Sequence, residues 1–340
     1  MKIIESNLNK LFNFQNLTSS EAEAAMDEIM SGNVPDALLS AWLTSLRMKG
    51  ETPEEIAGCA RSMIKKAVKI HINDMEAVDT AGTGGDACNT INISTASAIV
   101  TAASGITVSK HGNKAVSSNS GSADILSALG FNIGISPEKM VECINKTKLA
   151  FLFAPTLHPA MRFALPVRRQ LKQRTIFNIL GPLCNPSGIT RSIIGVYDDK
   201  LCRVIAEAAK KIGFKRLMVV HGNDGLDEIT TTACTKICEL KDNNIIEYEF
   251  DPQKHGIKKS SLKDIQGKSP KYNAEIIKDL FNNKITGPIK DIIVLNSAAA
   301  IIISDKAKTW DKALKIARDT IESGKAIRKL EEIIKFTNNC

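Results

Sequence analysis

One stretch constrains this chain more than any other. Residues 79–86 read Asp-Thr-Ala-Gly-Thr-Gly-Gly-Asp, after the β-prone Val78 and ahead of a small-residue run, 95–104, that Gly105 closes. Three glycines within positions 82–85 let the backbone turn sharply, approach a ligand closely and aim N–H groups at it. A strand end, a glycine loop and a helix start make half of a βαβ unit. Asn92, Ser94 and Thr95 open the helix, and a helix N-terminus flanked by hydroxyls favours an anion such as phosphate. The stretch contains no GxxxxGK[ST] pattern and does not complete GxGxxG. Taken alone, the same glycines would also suit a tight β–α turn with no ligand.

The strand–helix grammar continues downstream. Runs 106–110, 151–154, 193–197 and 217–221 read as strands. Helices are expected at 123–129, closed by Gly130, from Ser136-Pro137-Glu138 onward, and at 201–212. This alternation predicts a largely parallel sheet covered by helices. Run 246–250 reads as a more exposed strand, and 274–336 return to helix. No strand signal precedes Val78. Leu8, Leu11 and Phe12 have helical spacing, as do residues 22–30 behind the cap candidates Thr18, Ser19 and Ser20. A further helix covers 36–48 and stops at Gly50, and Thr52-Pro53 opens the next. The fold class is therefore α/β. A small N-terminal α-helical domain, residues 1–72, precedes a large α/β domain, 73–340, whose mainly parallel central sheet is flanked by helices.

Composition narrows the function classes. At 340 residues, 43% apolar and 24% charged, the chain has the make-up of a globular enzyme, not of a disordered or fibrous protein. The longest apolar run, 292–303, is too short for a bilayer and is interrupted by Asn296. The first residues lack a secretory apolar core, so a cytoplasmic location is expected, with no membrane partner. Eight cysteines form no CxxC pair, and Cys234 and Cys238 lack the second pair a zinc site needs, so free thiols are expected. The net charge of +8 resides in residues 253–340. Lys306, Lys308, Lys312, Lys315 and Arg318 are spread there without interleaved aromatics, which reads as a solvated helix face and not as a nucleic-acid surface.

Three further stretches carry chemistry. Residues 110–118, Lys-His-Gly-Asn-Lys-Ala-Val-Ser-Ser, followed by Gly121-Ser122-Ala123-Asp124, again join a strand to a helix and are dense in donors. Two such loops at the carboxyl ends of adjacent parallel strands would face one crevice suited to several phosphates. Residues 221–228, His-Gly-Asn-Asp-Gly-Leu-Asp-Glu, place adjacent acids in a loop after a strand. Such acids are ordinarily just solvated, but beside two anion loops they become candidates for Mg²⁺, completed by waters and substrate phosphates. Residues 158–186 bring His158, Arg162, Arg168, Arg169 and Arg174 together, a set suited to carboxylate or phosphate.

Five motifs, Gly82-Thr-Gly-Gly-Asp86, Lys110-His-Gly-Asn113, Gly121-Ser-Ala-Asp124, Arg174-Thr-Ile-Phe-Asn178 with Leu180-Gly-Pro182, and Asp224-Gly-Leu-Asp-Glu228, stand in one order. In that order and spacing the chain resembles the anthranilate phosphoribosyltransferases of tryptophan biosynthesis, through nearly its whole length, Leu295-Asn-Ser-Ala-Ala299 included. The resemblance implies transfer of phosphoribose from phosphoribosyl pyrophosphate to anthranilate, with Mg²⁺, in a homodimer joined through the helical domains with help from helices near 158–190. It implies that Gly82, Thr83, Gly84, Gly85 and Asp86 hold pyrophosphate and ribose. Thr90, Asn92, Ser94, Thr95, Lys110, Ser117 and Ser122 belong to the same substrate set, with His111 and Gly112 beside them. Asn113, His158 and Arg168 would contact anthranilate, Arg168 through the carboxylate, and Ser94, Asp227 and Glu228 would hold the metal. Lys110 and Arg168 would act through charge and positioning; no acid–base dyad stands out.

Departures from the family pattern are few. Lys114 stands where arginine is usual, keeping the charge but not the bidentate fork, and Phe163 replaces a polar residue or histidine. Two rival readings remain: a pyrimidine nucleoside phosphorylase-like enzyme, which would need no acid pair, and a nucleic-acid-binding relative that would not need the anthranilate set. Whether an amidotransferase partner associates is not written in the sequence.

Overall fold

Thr18 and Thr52 each close a capping box, accepting from the amide three residues on while Glu21 and Glu55 reach back. They start α2 (Ser19–Ile29) and α4 (Pro53–Lys66), which with α1 (Lys2–Leu11) and α3 (Asp36–Lys49) build the helical unit. The computed structural model describes residues 2–74, 76–115 and 120–340. Phe12 falls just past the end of α1 and is 62% exposed: Leu8 and Leu11 turn inward, and the helix stops before the spacing can bury it.

The sheet is ordered β3-β2-β1-β4-β5-β6-β7. Its strands are β1 (Val78–Gly82), β2 (Val108–Gly112), β3 (Leu149–Phe153), β4 (Arg191–Gly195), β5 (Arg216–Gly222), β6 (Thr235–Lys241) and β7 (Asn244–Phe250). The first five run parallel; β6 and β7 are antiparallel. All five strands expected after β1 begin one or two residues earlier or later than the apolar runs suggest. β6 has no counterpart among the expected strands. Its Glu239 is buried against Arg216, so charge sits where an apolar residue marks a strand. β7 is the exposed edge, as its polar alternation implies.

The chain order steps outward from β1 to β3, then returns to the other side of β1 for β4 and β5. The switch point lies between β1 and β4, where open α/β sheets bind ligands at their carboxyl ends. One sheet face carries α5 (Ile93–Ala103), α6 (Ser122–Leu129) and α7 (Pro137–Thr147) in one apolar cluster. The short α8 (Ala154–Leu157), α9 (Leu165–Leu171) and α10 (Ile176–Leu180) follow β3, and α11 (Leu201–Lys211) follows β4. Val167, Ile176, Phe177 and Leu180 share a second cluster with α1–α4 and α11. The helices α12 (Pro270–Phe281), α13 (Pro288–Ile303), α14 (Trp310–Glu322) and α15 (Lys325–Asn338) complete the first cluster. All eight cysteines are free.

Candidate active site

Side chains alternate across a strand, and in β2 this sends Lys110 and His111 to opposite faces of the sheet. Lys110 points toward α5, and His111 toward the segment that follows α8. One strand end therefore serves two half-sites.

On the first side the glycine loop leaves β1 with Gly84 and Gly85 at φ +64° and +81°, values that glycine alone adopts without strain. The Gly84 N–H donates to Asp227 Oδ2 at 3.0 Å, and the Thr83 N–H to the Gly195 carbonyl at 2.8 Å. Gly195 ends β4, and a Cβ there would lie 1.6 Å from the Asp227 carbonyl oxygen, so only glycine admits the acidic loop. At the start of α5 the Ser94 N–H donates to Glu228 Oε1 at 3.0 Å. Lys110, 2% exposed, donates to the Thr80 carbonyl at 2.5 Å, with Ser94 Oγ at 3.4 Å. The loops after β1 and β5 and the Lys110 side chain of β2 thus converge on one point.

The electrostatics of that point are unbalanced. Burial pushes the Asp227 carboxyl up to about 7, with the Asp86 charge adding to it. Glu228 is raised further by burial and by Asp227, while Lys110 and the Ser94 amide pull it down. Burial lowers Lys110, against Asp79 and Glu228. Two half-buried carboxylates facing one buried ammonium form an anionic pocket of hard oxygen donors, which fits Mg²⁺. Among the described residues no group of three or more His, Cys, Asp or Glu side chains could hold a metal alone. That also fits an ion that keeps waters and substrate phosphates in its shell.

The other expected donor-side residues are placed as follows. Asn92 is committed to Ser120 and Asn273: its Nδ2 donates to the Ser120 carbonyl at 2.9 Å and its Oδ1 accepts from Asn273 at 3.0 Å. Thr95 is buried in the first turn of α5. Thr90 bridges to Gln266. Ser122 Oγ donates to the Asn113 carbonyl at 3.2 Å and fills the space a Cβ on Gly112 would need. The Asn113 side chain accepts from the Lys114 amide. Asp86 accepts from the Cys88 amide. Ser117 lies outside the described residues.

On the second side His111 and His158 stand with ring centroids 5.1 Å apart. One nitrogen of each ring bonds a carbonyl, Gly181 for His111 and Cys184 for His158, and both Nε2 atoms are buried without a protein partner. Burial lowers His111 to about 3 and His158 to about 4, so both rings are neutral at pH 7. Arg168, on α9, lies 5.2 Å over the Phe177 ring, and burial lowers it too. Among the described residues it has no carboxylate partner. Phe163 packs over Gly32, and Arg162 stacks on its ring, so this departure fills a contact with the helical unit.

Several site residues were not assigned a role from sequence. Asp79 accepts from the His111 amide and from Asn185 Nδ2 at 2.9 Å, which ties the floor of the crevice to the segment after α10. Arg174, expected only as one of a set suited to carboxylate or phosphate, donates instead to the Gly85 carbonyl. Asn296, which stands in the sequence as a break in an apolar run and within the Leu295–Ala299 stretch, grips Ile229 beside Glu228.

Residues 6–67 match the glycosyl transferase family, helical bundle domain, and residues 74–327 the glycosyl transferase family, a/b domain. An anthranilate phosphoribosyltransferase of Acetivibrio thermocellus is 46% identical over 337 residues, 99% of this chain and 97% of its own. One from Clostridium kluyveri is 47% identical over 331 residues, 97% of this chain and 98% of its own. The chain belongs to the anthranilate phosphoribosyltransferase family. The crystal structure of the Thermus thermophilus member superposes with a TM-score of 0.93 at 35% identity, over 98% of this chain and 99% of that one. The Saccharomyces cerevisiae member, solved in complex with phosphoribosyl pyrophosphate and Mg, gives a TM-score of 0.91 at 29% identity over 99% and 98%. Membership decides for the transferase reading over the phosphorylase-like and nucleic-acid-binding alternatives.

Proposed function

We propose that the crevice between β1 and β4 joins phosphoribosyl pyrophosphate to anthranilate, with the donor on the Lys110 side and the acceptor on the His111 side. The chain transfers the 5-phosphoribosyl group to the amine of anthranilate and releases pyrophosphate. The observation that carries the site is the convergence of the loops after β1 and β5 with Lys110 of β2, through Gly84–Asp227, Ser94–Glu228 and Lys110–Ser94.

In this reading the Gly85 and Asp86 N–H groups and the hydroxyls at the start of α5 hold pyrophosphate and phosphate oxygens, the Thr83 and Gly84 N–H groups being taken by Gly195 and Asp227. Ser94, Asp227 and Glu228 hold Mg²⁺, which when bound neutralises the leaving pyrophosphate. The amine nitrogen bonds to C1 of the ribose as the bond from C1 to the pyrophosphate oxygen breaks, the electron pair leaves with pyrophosphate, and the proton the nitrogen then sheds passes to the departing pyrophosphate or to water. Attack from the opposite face inverts C1 through an oxocarbenium-like transition state, as in glycoside hydrolysis. The arylamine is neutral at pH 7, so no strong base has to act first. Arg168 pairs with the anthranilate carboxylate, while Asn113, His111 and His158 line its approach. Two neutral imidazoles with free Nε2 atoms suit a partly apolar, partly hydrogen-bonding ring better than they suit a phosphate. Positioning and leaving-group electrostatics supply the acceleration.

Phe12, Phe14 and Met48 are 62%, 66% and 71% exposed on the helical unit, and they support a homodimer joined through that face. No described helix is long and apolar enough to cross a membrane. Eight free thiols suit a reducing cytoplasm. The test is loss of anthranilate fluorescence with phosphoribosyl pyrophosphate, with and without Mg²⁺. Consumption that needs Mg²⁺ is expected; a folded protein that consumes no anthranilate would overturn the assignment.

A further inference from the structure

The acid pair sits on a loop, yet its geometry is dictated by a helix distant in sequence. Asn296 lies in the middle of α13 and is 2% exposed, inside a run that is otherwise apolar or small. Burying an amide there costs free energy unless each of its polar atoms is bonded. All are. Its Oδ1 accepts from the Ile229 N–H at 3.0 Å, and its Nδ2 donates to the Ile229 carbonyl at 2.9 Å and to the Ile292 carbonyl at 2.9 Å. One side chain takes both polar backbone groups of the residue that follows Glu228. An apolar side chain would serve the packing of α13 equally well; only the Ile229 peptide groups require an amide.

The same helix also holds the opposite wall of the site. Ser97, one turn after Ser94 in α5, donates through Oγ to the Ile293 carbonyl at 3.3 Å. α13 therefore braces the acidic loop through Asn296 and the start of α5 through Ser97. The gap it spans is the one closed by the bond from the Ser94 amide to Glu228 Oε1. On its far side the loop is pinned independently, by Thr230 Oγ1 donating to Asp224 Oδ2 at 2.7 Å.

We propose that Asn296 is a positioning residue for the metal-binding carboxylates: its grip on Ile229 sets the pose of Glu228 against Ser94. Groups that orient metal ligands from behind typically change metal affinity roughly ten- to a hundredfold when removed. The proposal rests on the reading that Ser94, Asp227 and Glu228 hold a divalent ion.

The experiment titrates Mn²⁺, followed by electron paramagnetic resonance, into the full chain with phosphoribosyl pyrophosphate and without anthranilate. Wild type, Asn296→Asp, Asn296→Ala and Ser297→Ala are compared, with the KM for anthranilate measured alongside. Asn296→Asp keeps the size of the side chain and the acceptor for Ile229 while losing the donor, so it is the deciding variant if the alanine fails to fold. Ser297 donates to the Ile293 carbonyl at 2.6 Å in the same helix but does not touch the loop. Both Asn296 variants should bind Mn²⁺ roughly ten- to a hundredfold more weakly, with the anthranilate KM unchanged and Ser297→Ala like wild type. Unchanged Mn²⁺ affinity in folded Asn296→Asp would overturn the proposal, as would an equal loss in Ser297→Ala, which would mean general softening of α13. Wild type that binds no Mn²⁺ would instead overturn the metal site itself.

Discussion

The Arg174 guanidinium donates to the Gly85 carbonyl and lies 3.8 Å over the Tyr197 ring. It comes from the segment between α9 and α10, which packs with the helical unit, and it reaches across to the loop that faces the donor. Fixing the Gly85 carbonyl fixes the planar peptide that also carries the Asp86 N–H, and with it the direction in which that donor points. Arg174→Ala should therefore raise the KM for phosphoribosyl pyrophosphate and leave that for anthranilate nearly unchanged. A hydrogen bond to a charged group contributes about 1.5–3 kcal/mol, on the order of a ten- to hundredfold change. Arg174→Lys should recover only part, because an ammonium does not stack flat on Tyr197. Steady-state kinetics with each substrate varied in turn decide this; an equal rise in both constants would refute the loop-setting role.

Arg168 is a half-buried cation with no carboxylate partner among the described residues, held over Phe177. Burial of an unpaired charge costs free energy that an incoming carboxylate recovers. Arg168→Ala should raise the anthranilate KM by a factor corresponding to about 1.5–3 kcal/mol, while phosphoribosyl pyrophosphate binding, measured by calorimetry, stays at its wild-type value. Kinetics indistinguishable from wild type would remove Arg168 from the carboxylate role.

The parts of this site that could be read from sequence are those written in one short stretch. Gly82 to Asp86 announce a ligand loop because only glycine supplies that backbone, and Thr18 and Thr52 announce helix starts because their caps are local. What escaped reading depends on partners far apart in the chain. Asp79 meets Asn185, 106 residues away, and Gly195 is small because Asp227 arrives above it. β6 hides because Arg216 satisfies its buried Glu239. In each case the residue type is ordinary and the meaning lies in the neighbour.

The acid pair sets function against stability. Asp227 and Glu228 lie half-buried beside each other with Lys110 as the nearby cation, and both carboxyls are raised, so their charge is costly without metal. Asp227→Asn with Glu228→Gln should weaken Mg²⁺-dependent turnover strongly. The same double variant should melt higher than wild type in EDTA at pH 8, by about 2 °C or more. Calorimetry of both proteins with and without Mg²⁺ checks this, and a double variant with the wild-type magnesium response would show that the ion binds elsewhere.

The histidine pair predicts a pH dependence of its own sign. Burial lowers His111 to about 3 and His158 to about 4, against about 6.5 in an unfolded chain. Between those values the unfolded chain binds protons that the folded chain does not, so these residues' contribution is complete above about 6.5 and is lost as pH falls. Asp79, pushed up to about 6 by burial, and the raised Asp227 and Glu228 act in the opposite sense. The histidine effect is therefore read as a difference between wild type and His111→Asn. As pH falls from 7.5 to 5, the variant should gain on wild type, by at most about 1.4 kcal/mol per pH unit for one proton. Urea unfolding at several pH values measures that gap. A gap that stays constant would mean His111 is charged or solvated in the folded protein, and the neutral acceptor pocket drawn from it would have to be abandoned.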